Sequence, residues 1–167
     1  MTARTLDDAR VWRLGTDVDT DALAPGAYMK HGLEVIGRHC LEAVRGDFAP
    51  GVHKGDVIVA GANFGIGSSR EQAAGVLRHL GVAAVIAPSF SGLFFRNAFN
   101  LGLLLLTCPE AETIEEGERV GLRLEGDLPM VQRANGRHLA CAPIPGFLMD
   151  MVDAGGLLPL LKQRKPA

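Results

Sequence analysis

The sequence is poor in the features that mark nucleic-acid-binding proteins. Aromatic residues make up 5% of the 167 residues, and 17 Lys+Arg stand against 19 Asp+Glu, for a net charge of −2. Proteins that bind nucleic acids usually present a basic surface, or aromatic side chains on which bases stack. The composition therefore argues against a nucleic-acid partner.

Long hydrophobic runs are missing as well. The longest apolar stretch lies near residues 101–106, far short of the roughly 20 residues that span a bilayer as a helix. The N-terminal residues lack the charged, apolar and small-residue regions of a signal peptide. We therefore expect a cytoplasmic protein with no membrane contact.

Cysteine is scarce and widely spaced, at Cys40, Cys108 and Cys141. An odd number of cysteines without a close pair argues against a disulfide framework or a local zinc site. The spacing that holds an iron–sulfur cluster is also absent. We expect free thiols and no metal ligands in this chain.

The residues that are present predict an α/β protein. Hydrophobic residues make up 47% of the sequence, and its length favours a single domain over residues 1–167. Apolar runs at 57–60, 82–87 and 103–106 predict buried strands, with helices expected at 70–80 and 91–100 between them. Strands that alternate with helices pair in parallel through right-handed crossovers.

The flanking segments predict a second, antiparallel portion. Alternating residues after Pro109 predict two strands, and Asn135-Gly136 predicts a tight hairpin into a third. Gly155-Gly156 is expected to stop a C-terminal helix. The remaining expected elements are a strand at 11–14, a helix at 32–44, a polar loop at 47–54, strands at 118–125, 130–133 and 137–142, and a helix at 144–154.

The segment 61–73, with the sequence GANFGIGSSREQA, is the most informative part of the chain. It lies between a predicted strand and a predicted helix, where free backbone N–H groups and the helix dipole favour an anion. The guanidinium of Arg70 adds a forked donor that suits a carboxylate or a phosphate. The three glycines let a ligand approach the backbone closely.

Simpler explanations of these motifs were weighed. The nucleotide-binding patterns GxGxxG and GxxxxGK[ST] fail, because Arg70 and Ile66 stand where glycine is required. Ser68 and Glu71 match a capping box, which would account for these two residues without a ligand. The acidic loop 17–21 fails as a calcium loop and is explained equally well as a capped turn.

Several motifs together resemble one family, the small subunit of 3-isopropylmalate dehydratase, a free-standing swivel domain of the aconitase type. The similarity covers essentially the whole chain in order and spacing. The motifs are Asp19-Thr20-Asp21 with Pro25-Gly26, NFGIGSSRE at 63–71, Pro88-Ser89-Phe90, Phe95-Arg96-Asn97 and Gly102-Leu103.

This resemblance implies a swivelling β/β/α domain that works with a large catalytic subunit. The partner in this family carries a [4Fe–4S] cluster, and no cofactor is expected on the present chain. The implied enzyme is a hydro-lyase of leucine biosynthesis that interconverts 2-isopropylmalate and 3-isopropylmalate by dehydration and rehydration. The small subunit is inactive without the large one.

The resemblance also assigns roles residue by residue. Ser68 falls on the family's catalytic base, and Asp21 on a carboxylate that supports the site. Ser69 and Arg70 fall on groups that bind a substrate carboxylate. The residues expected to shape the loop are Asn63, Gly65 and Gly67.

The substrate is left open by the loop after Pro25-Gly26, which helps to select it in the family. An arginine there accompanies a third carboxylate, and an apolar residue accompanies an isopropyl group. This chain has Lys30 within Tyr28-Met29-Lys30-His31, which matches neither pattern and could bind a carboxylate. A homoaconitase or a 2,3-dimethylmalate or methylmalate dehydratase subunit is the alternative, and a non-catalytic anion-binding module is less favoured.

Overall fold

A seven-stranded mixed sheet runs through the computed structural model, which describes residues 5–126 and 128–165. The strand order is β4-β3-β2-β1-β5-β6-β7. Strands β1 to β4 pair in parallel, whereas β5 to β7 continue from β1 in antiparallel pairing. The strands are β1 (Thr5–Arg13), β2 (Val57–Val59), β3 (Ala84–Ala87), β4 (Leu104–Thr107), β5 (Arg119–Arg123), β6 (Met130–Gln132) and β7 (His138–Ala140). The predicted combination of a parallel and an antiparallel portion is confirmed.

The parallel strands are buried on both faces, as their continuous apolar runs predict. Every residue of β2 and β3 is buried, and so are the first three of β4. The connecting helices are α4 (Gln72–His79) between β2 and β3, and α5 (Gly92–Asn100) between β3 and β4. Crossover helices of this kind cover the sheet and exclude water from both faces.

The antiparallel strands have one wet face. Burial alternates along β6 and β7, where Val131 pairs with Leu139 inside. Gly136 has φ +88° in the turn between them, and the side chain of Asn135 accepts a hydrogen bond from the backbone N–H of Arg137. The hairpin predicted from Asn135-Gly136 is therefore confirmed.

The remaining helices differ from the expectations in two places. The predicted helix at 32–44 ends at Arg38, because Leu41 has φ +61° and cannot continue a right-handed helix. The predicted polar loop at 47–54 contains a short helix, whose Phe48 is buried against Trp12 with ring centroids 5.2 Å apart. These helices are α1 (Thr20–Leu23), α2 (Leu33–Arg38), α3 (Phe48–Gly51), α6 (Gly146–Ala154) and α7 (Leu157–Arg164).

The C-terminal helices form a hairpin around Gly155. This residue ends α6 with φ +92° and donates its N–H to Met151, as a left-handed helix terminus does. The chain then continues as α7, and Arg164 pairs with Asp150 at 2.9 Å. Within the described ranges, no helix is long and apolar enough to cross a membrane.

Candidate active site

The loops that follow β1, β2 and β3 meet at one end of the parallel strands. Asp19, after β1, forms a bridge with Ile66, after β2. Phe64 forms a second bridge with Phe90, after β3. Ligands of open α/β sheets bind outside the carboxyl ends of the strands, so the predicted anion site lies where such a site is expected.

The glycines of segment 61–73 allow the close packing of this loop. Gly65 has φ +85°, and a Cβ atom there would lie 2.2 Å from Cγ of Phe94. Gly67 has φ +106°, and a Cβ atom there would lie 3.1 Å from the hydroxyl of the buried Thr20. Both positions therefore need glycine for conformation as well as for space.

Asn63 ties this loop to both of its neighbours. Its backbone has φ +62°, a conformation that asparagine tolerates better than most residues. Its side-chain amide donates to Asp17 at 3.0 Å, and its backbone N–H donates to the Ser89 hydroxyl at 2.9 Å. Asn63, Gly65 and Gly67 thus lie together, as the sequence predicts.

The capping box expected at Ser68 is wrong. Helix α4 begins at Gln72 with Glu71 as its N-cap residue, and Glu71 makes no side-chain capping bond. The backbone is held in a non-helical path before that point, because Thr20 donates its N–H to Ile66 and Asn97 binds the carbonyl of Ser69. Ser68 and Ser69 are exposed, and their hydroxyls make no hydrogen bond within the part of the chain that is described. Both hydroxyls are free to meet a ligand.

Arg70 is held by the loop after β1. Its Nη1 atom donates to Asp21 Oδ1 at 3.2 Å and to the carbonyl of Ala24 at 2.8 Å. The same oxygen of Asp21 accepts the backbone N–H of Gly26 at 2.9 Å. Asp21 therefore supports Arg70 and fixes the start of the following loop, while the guanidinium keeps other N–H groups free for an anion.

Asn97 is a site residue to which the sequence gave no role. Its side-chain amide on α5 donates to the carbonyl of Ser69 at 3.1 Å. The motif Phe95-Arg96-Asn97 was the available signal, but only the fold shows which residue of the glycine-rich loop it reaches. Asn97 fixes the backbone between the two serines and Arg70.

Lys30 lies apart from this cluster in the isolated chain. It follows the short 3-10 helix Gly26–Tyr28, is exposed, and makes no hydrogen bond or ion pair within the described residues. The loop is anchored at Tyr28, whose ring stacks on that of His39 with centroids 3.7 Å apart. Its ammonium group is thus available, but the structure does not bring it to Arg70.

The cysteines do not fit an iron–sulfur cluster. Cys40, Cys108 and Cys141 are all buried, and burial raises the pKa of the Cys40 thiol, which disfavours the thiolate that binds iron. Among the described residues, no group of three or more histidine, cysteine or acidic side chains is arranged to hold a metal ion.

Comparison with known proteins agrees with this geometry. The family described as the aconitase C-terminal domain matches residues 48–111, which include the whole glycine-rich loop. The fold and the site thus define a domain of the aconitase C-terminal class.

Longer similarities identify the family within that class. The 3-isopropylmalate dehydratase small subunit 1 of Thermotoga maritima is 40% identical over 156 residues, covering 92% of this chain and 93% of that protein. The small subunit of the same enzyme from Methanosarcina acetivorans is 42% identical over 153 residues, covering 90% and 93%. A crystal structure of 3-isopropylmalate dehydratase from Methanocaldococcus jannaschii superposes with a TM-score of 0.88 at 37% identity, covering 96% of this chain and 95% of that one. The chain belongs to the family of 3-isopropylmalate dehydratase small subunits.

Proposed function

We propose that this chain is the small subunit of a hydro-lyase that interconverts 2-isopropylmalate and 3-isopropylmalate in leucine biosynthesis. The observation that carries the proposal is the exposed Ser68-Ser69 pair beside an anchored Arg70. The names and coverage of the relatives support the same reaction. We further propose that residues 1–167 act as one swivel domain, since a single sheet joins both portions of the described chain.

The reaction needs a carboxylate held in place beside the carbon that loses a proton. Arg70 meets the first need, because a guanidinium binds a carboxylate through two parallel N–H bonds. Its anchors on Asp21 and Ala24 fix the direction of the fork before substrate arrives. Preorganised donors of this kind lower the free energy lost on binding and in the transition state.

Ser68 is proposed as the base that takes the proton from that carbon. A serine hydroxyl is a poor base unless nearby positive charge stabilises its alkoxide. Ser68 lies two residues before Arg70, and four residues before the N-terminus of α4, whose dipole has its positive end there. Ser69 is proposed to bind the same carboxylate as Arg70.

The other half of the active site is proposed to belong to a large subunit with which this chain forms a heterodimer. The described cysteines do not fit a cluster, so we place the family's [4Fe–4S] cluster on that partner. Bound there, the cluster supplies Lewis-acid chemistry for the hydroxyl that leaves. We propose that the small subunit alone is inactive.

A larger acid is the alternative substrate, and the free ammonium group of Lys30 favours it. If Lys30 binds a third carboxylate, as homoaconitate would present, Lys30→Val should raise KM for homoaconitate about tenfold or more while changing KM for 3-isopropylmalate little. Equal changes for both acids would exclude this role. The comparison is made on steady-state kinetics of the reconstituted complex.

The proposed function is tested by anaerobic reconstitution with the large subunit encoded by the same organism. Isopropylmalate, homoaconitate, citrate and 2,3-dimethylmalate are supplied in turn, and absorbance of the alkene product is followed. We expect the highest kcat/KM with isopropylmalate, and no turnover by either subunit alone. A complex that assembles but turns over none of these acids would contradict the proposal and favour an anion-binding module.

A further inference from the structure

Two arginines stand directly opposite each other on the sheet, far from the candidate active site. Arg10 of β1 pairs in register with Arg119 of β5. Residues opposite each other in antiparallel strands point to the same face with Cβ atoms about 5 Å apart, and like charges there destabilise the sheet. Such a pair calls for a compensating negative charge.

The described residues supply no carboxylate partner for either arginine. Arg10 lies 4.0 Å from the ring centroid of Trp12 and makes no ion pair, while Arg119 makes one long bond, at 3.3 Å, to the carbonyl of Asp8. The Trp12 stack and the neighbouring strand hold the two guanidinium groups in place, but neither contact neutralises their charge.

The acids around this pair are largely committed elsewhere. Asp7 pairs with Arg123 at 2.7 Å, and Asp56 is buried, accepting the indole N–H of Trp12 and the backbone N–H of His53. Asp8 is the one carboxylate on the wall without a side-chain partner among the described residues. Two acids farther off, Asp47 and Glu116, are both bound by Arg45.

Both arginines line a cavity of about 530 Å³, a size typical of small-molecule sites. Lys54 and His53 form the facing wall, and the side chains of both make no contact within the described structure. This wall precedes β2, whereas the glycine-rich loop follows β2. The cavity therefore lies at the opposite end of the parallel strands from Ser68 and Arg70.

We propose that Arg10, Arg119, Lys54 and His53 form a second site, which binds a small oxyanion such as a phosphate or a dicarboxylate. Arg10 and Arg119 bridge its oxygens from the sheet, and Lys54 approaches from the opposite wall. The bound anion removes the repulsion between the two arginines and so stabilises the antiparallel junction of β1 and β5.

Calorimetric titration of the full chain at constant ionic strength tests this site, with inorganic phosphate and malate as separate probes. Both titrations are made on the Arg70→Gln variant, so that anions binding at the candidate active site do not contribute. We expect one bound anion, and a loss of affinity of about tenfold or more when Arg119→Gln is added. Arg38→Gln, an exposed position on α2, is the matched control and should leave affinity unchanged. Binding by only one probe would identify the anion class.

Thermal unfolding gives an independent readout of the repulsion. In anion-free buffer, Arg119→Gln should raise Tm relative to the parent, and the better-binding anion should raise the Tm of the parent but not of Arg119→Gln. No binding of either probe, or equal affinity and equal Tm shifts with and without Arg119, would overturn the proposal.

Discussion

Arg70 serves two partners at once, and its geometry separates them. Nη1 is used within the protein, by Asp21 and the carbonyl of Ala24. The guanidinium is about one fifth exposed, whereas the Asp21 side chain is about two thirds exposed. Because the outer part of the fork faces the free hydroxyls of the loop's open side, the same residue can stay anchored and bind substrate.

Replacing Arg70 by lysine should therefore impair substrate binding although the charge is kept. An ammonium group cannot reach the Ala24 carbonyl and bind a carboxylate through two parallel bonds at the same time. We expect KM for 3-isopropylmalate in the reconstituted complex to rise about tenfold or more. Arg38→Lys is the control for the substitution itself. An unchanged KM in Arg70→Lys would remove Arg70 from the carboxylate site.

Gly65 makes a prediction about stability that needs no partner subunit. In Gly65→Ala the new methyl group would overlap the ring of Phe94, and φ +85° would be strained. We expect a loss of about 2–4 kcal/mol in the free energy of unfolding, measured by chemical denaturation. Gly92→Ala is the matched control, since nothing lies within 4 Å of its added Cβ. A loss in Gly65→Ala no larger than in Gly92→Ala would mean that the loop relaxes freely.

At the scale of elements, one ion pair fastens the start of β5 to the end of β6. Arg133 donates to both oxygens of Glu118, at 2.8 and 3.1 Å, and the backbone N–H of Ala134 adds a third bond. Both side chains are nearly buried, at 12% and 10% exposed. The hydrogen bonds from Arg133 hold the pKa of Glu118 below its ordinary value of 4.5.

This shift gives the pair a defined pH dependence. A carboxyl whose pKa is lower in the folded state contributes stability above its unfolded pKa, and loses it as the pH falls through the folded pKa. Glu118→Gln should cost about 1–3 kcal/mol of unfolding free energy at pH 7, and the difference from the parent should shrink below pH 4.5. Urea denaturation across this range measures it, with the exposed Glu112→Gln as control. A difference that stays constant down to the acid transition would contradict the assignment.

The elements that could be predicted from sequence are those whose pattern reflects burial alone. The runs at 82–87 and 103–106 became β3 and β4, because a strand covered on both faces is apolar throughout. The first half of β1 was missed, since Asp7 and Asp8 interrupt the alternation where the register with β5 shifts. The length of α2 was overestimated, because apolar spacing carries no sign of the left-handed turn at Leu41.

The candidate site was predicted in its residues but not in its contacts. Glycine density and the motif 63–71 indicated the loop, and the resemblance assigned Ser68 and Arg70. The bonds from Asp21 to Arg70 and from Asn97 to Ser69 join residues 49 and 28 positions apart. Such contacts depend on how the strand order brings three loops together, which no local pattern contains.

At the scale of the whole molecule, the candidate site is an open surface at one end of the sheet. Ser68, Ser69 and Lys30 are all exposed in the described chain, and general-base chemistry requires that water be kept from the reacting carbon. The proposed large subunit would cover this end. The account therefore assigns this chain the proton transfer and part of the carboxylate binding.

The most direct test is turnover by a complex reconstituted with Ser68→Ala. Co-elution of the two subunits, and a parent-like Tm of the variant chain, would show that assembly and folding are intact. The account predicts that kcat for alkene formation from 3-isopropylmalate falls about 10²–10⁴-fold, the usual contribution of a general base. A kcat within about twofold of the parent would contradict it, because the proton would then be taken by another group.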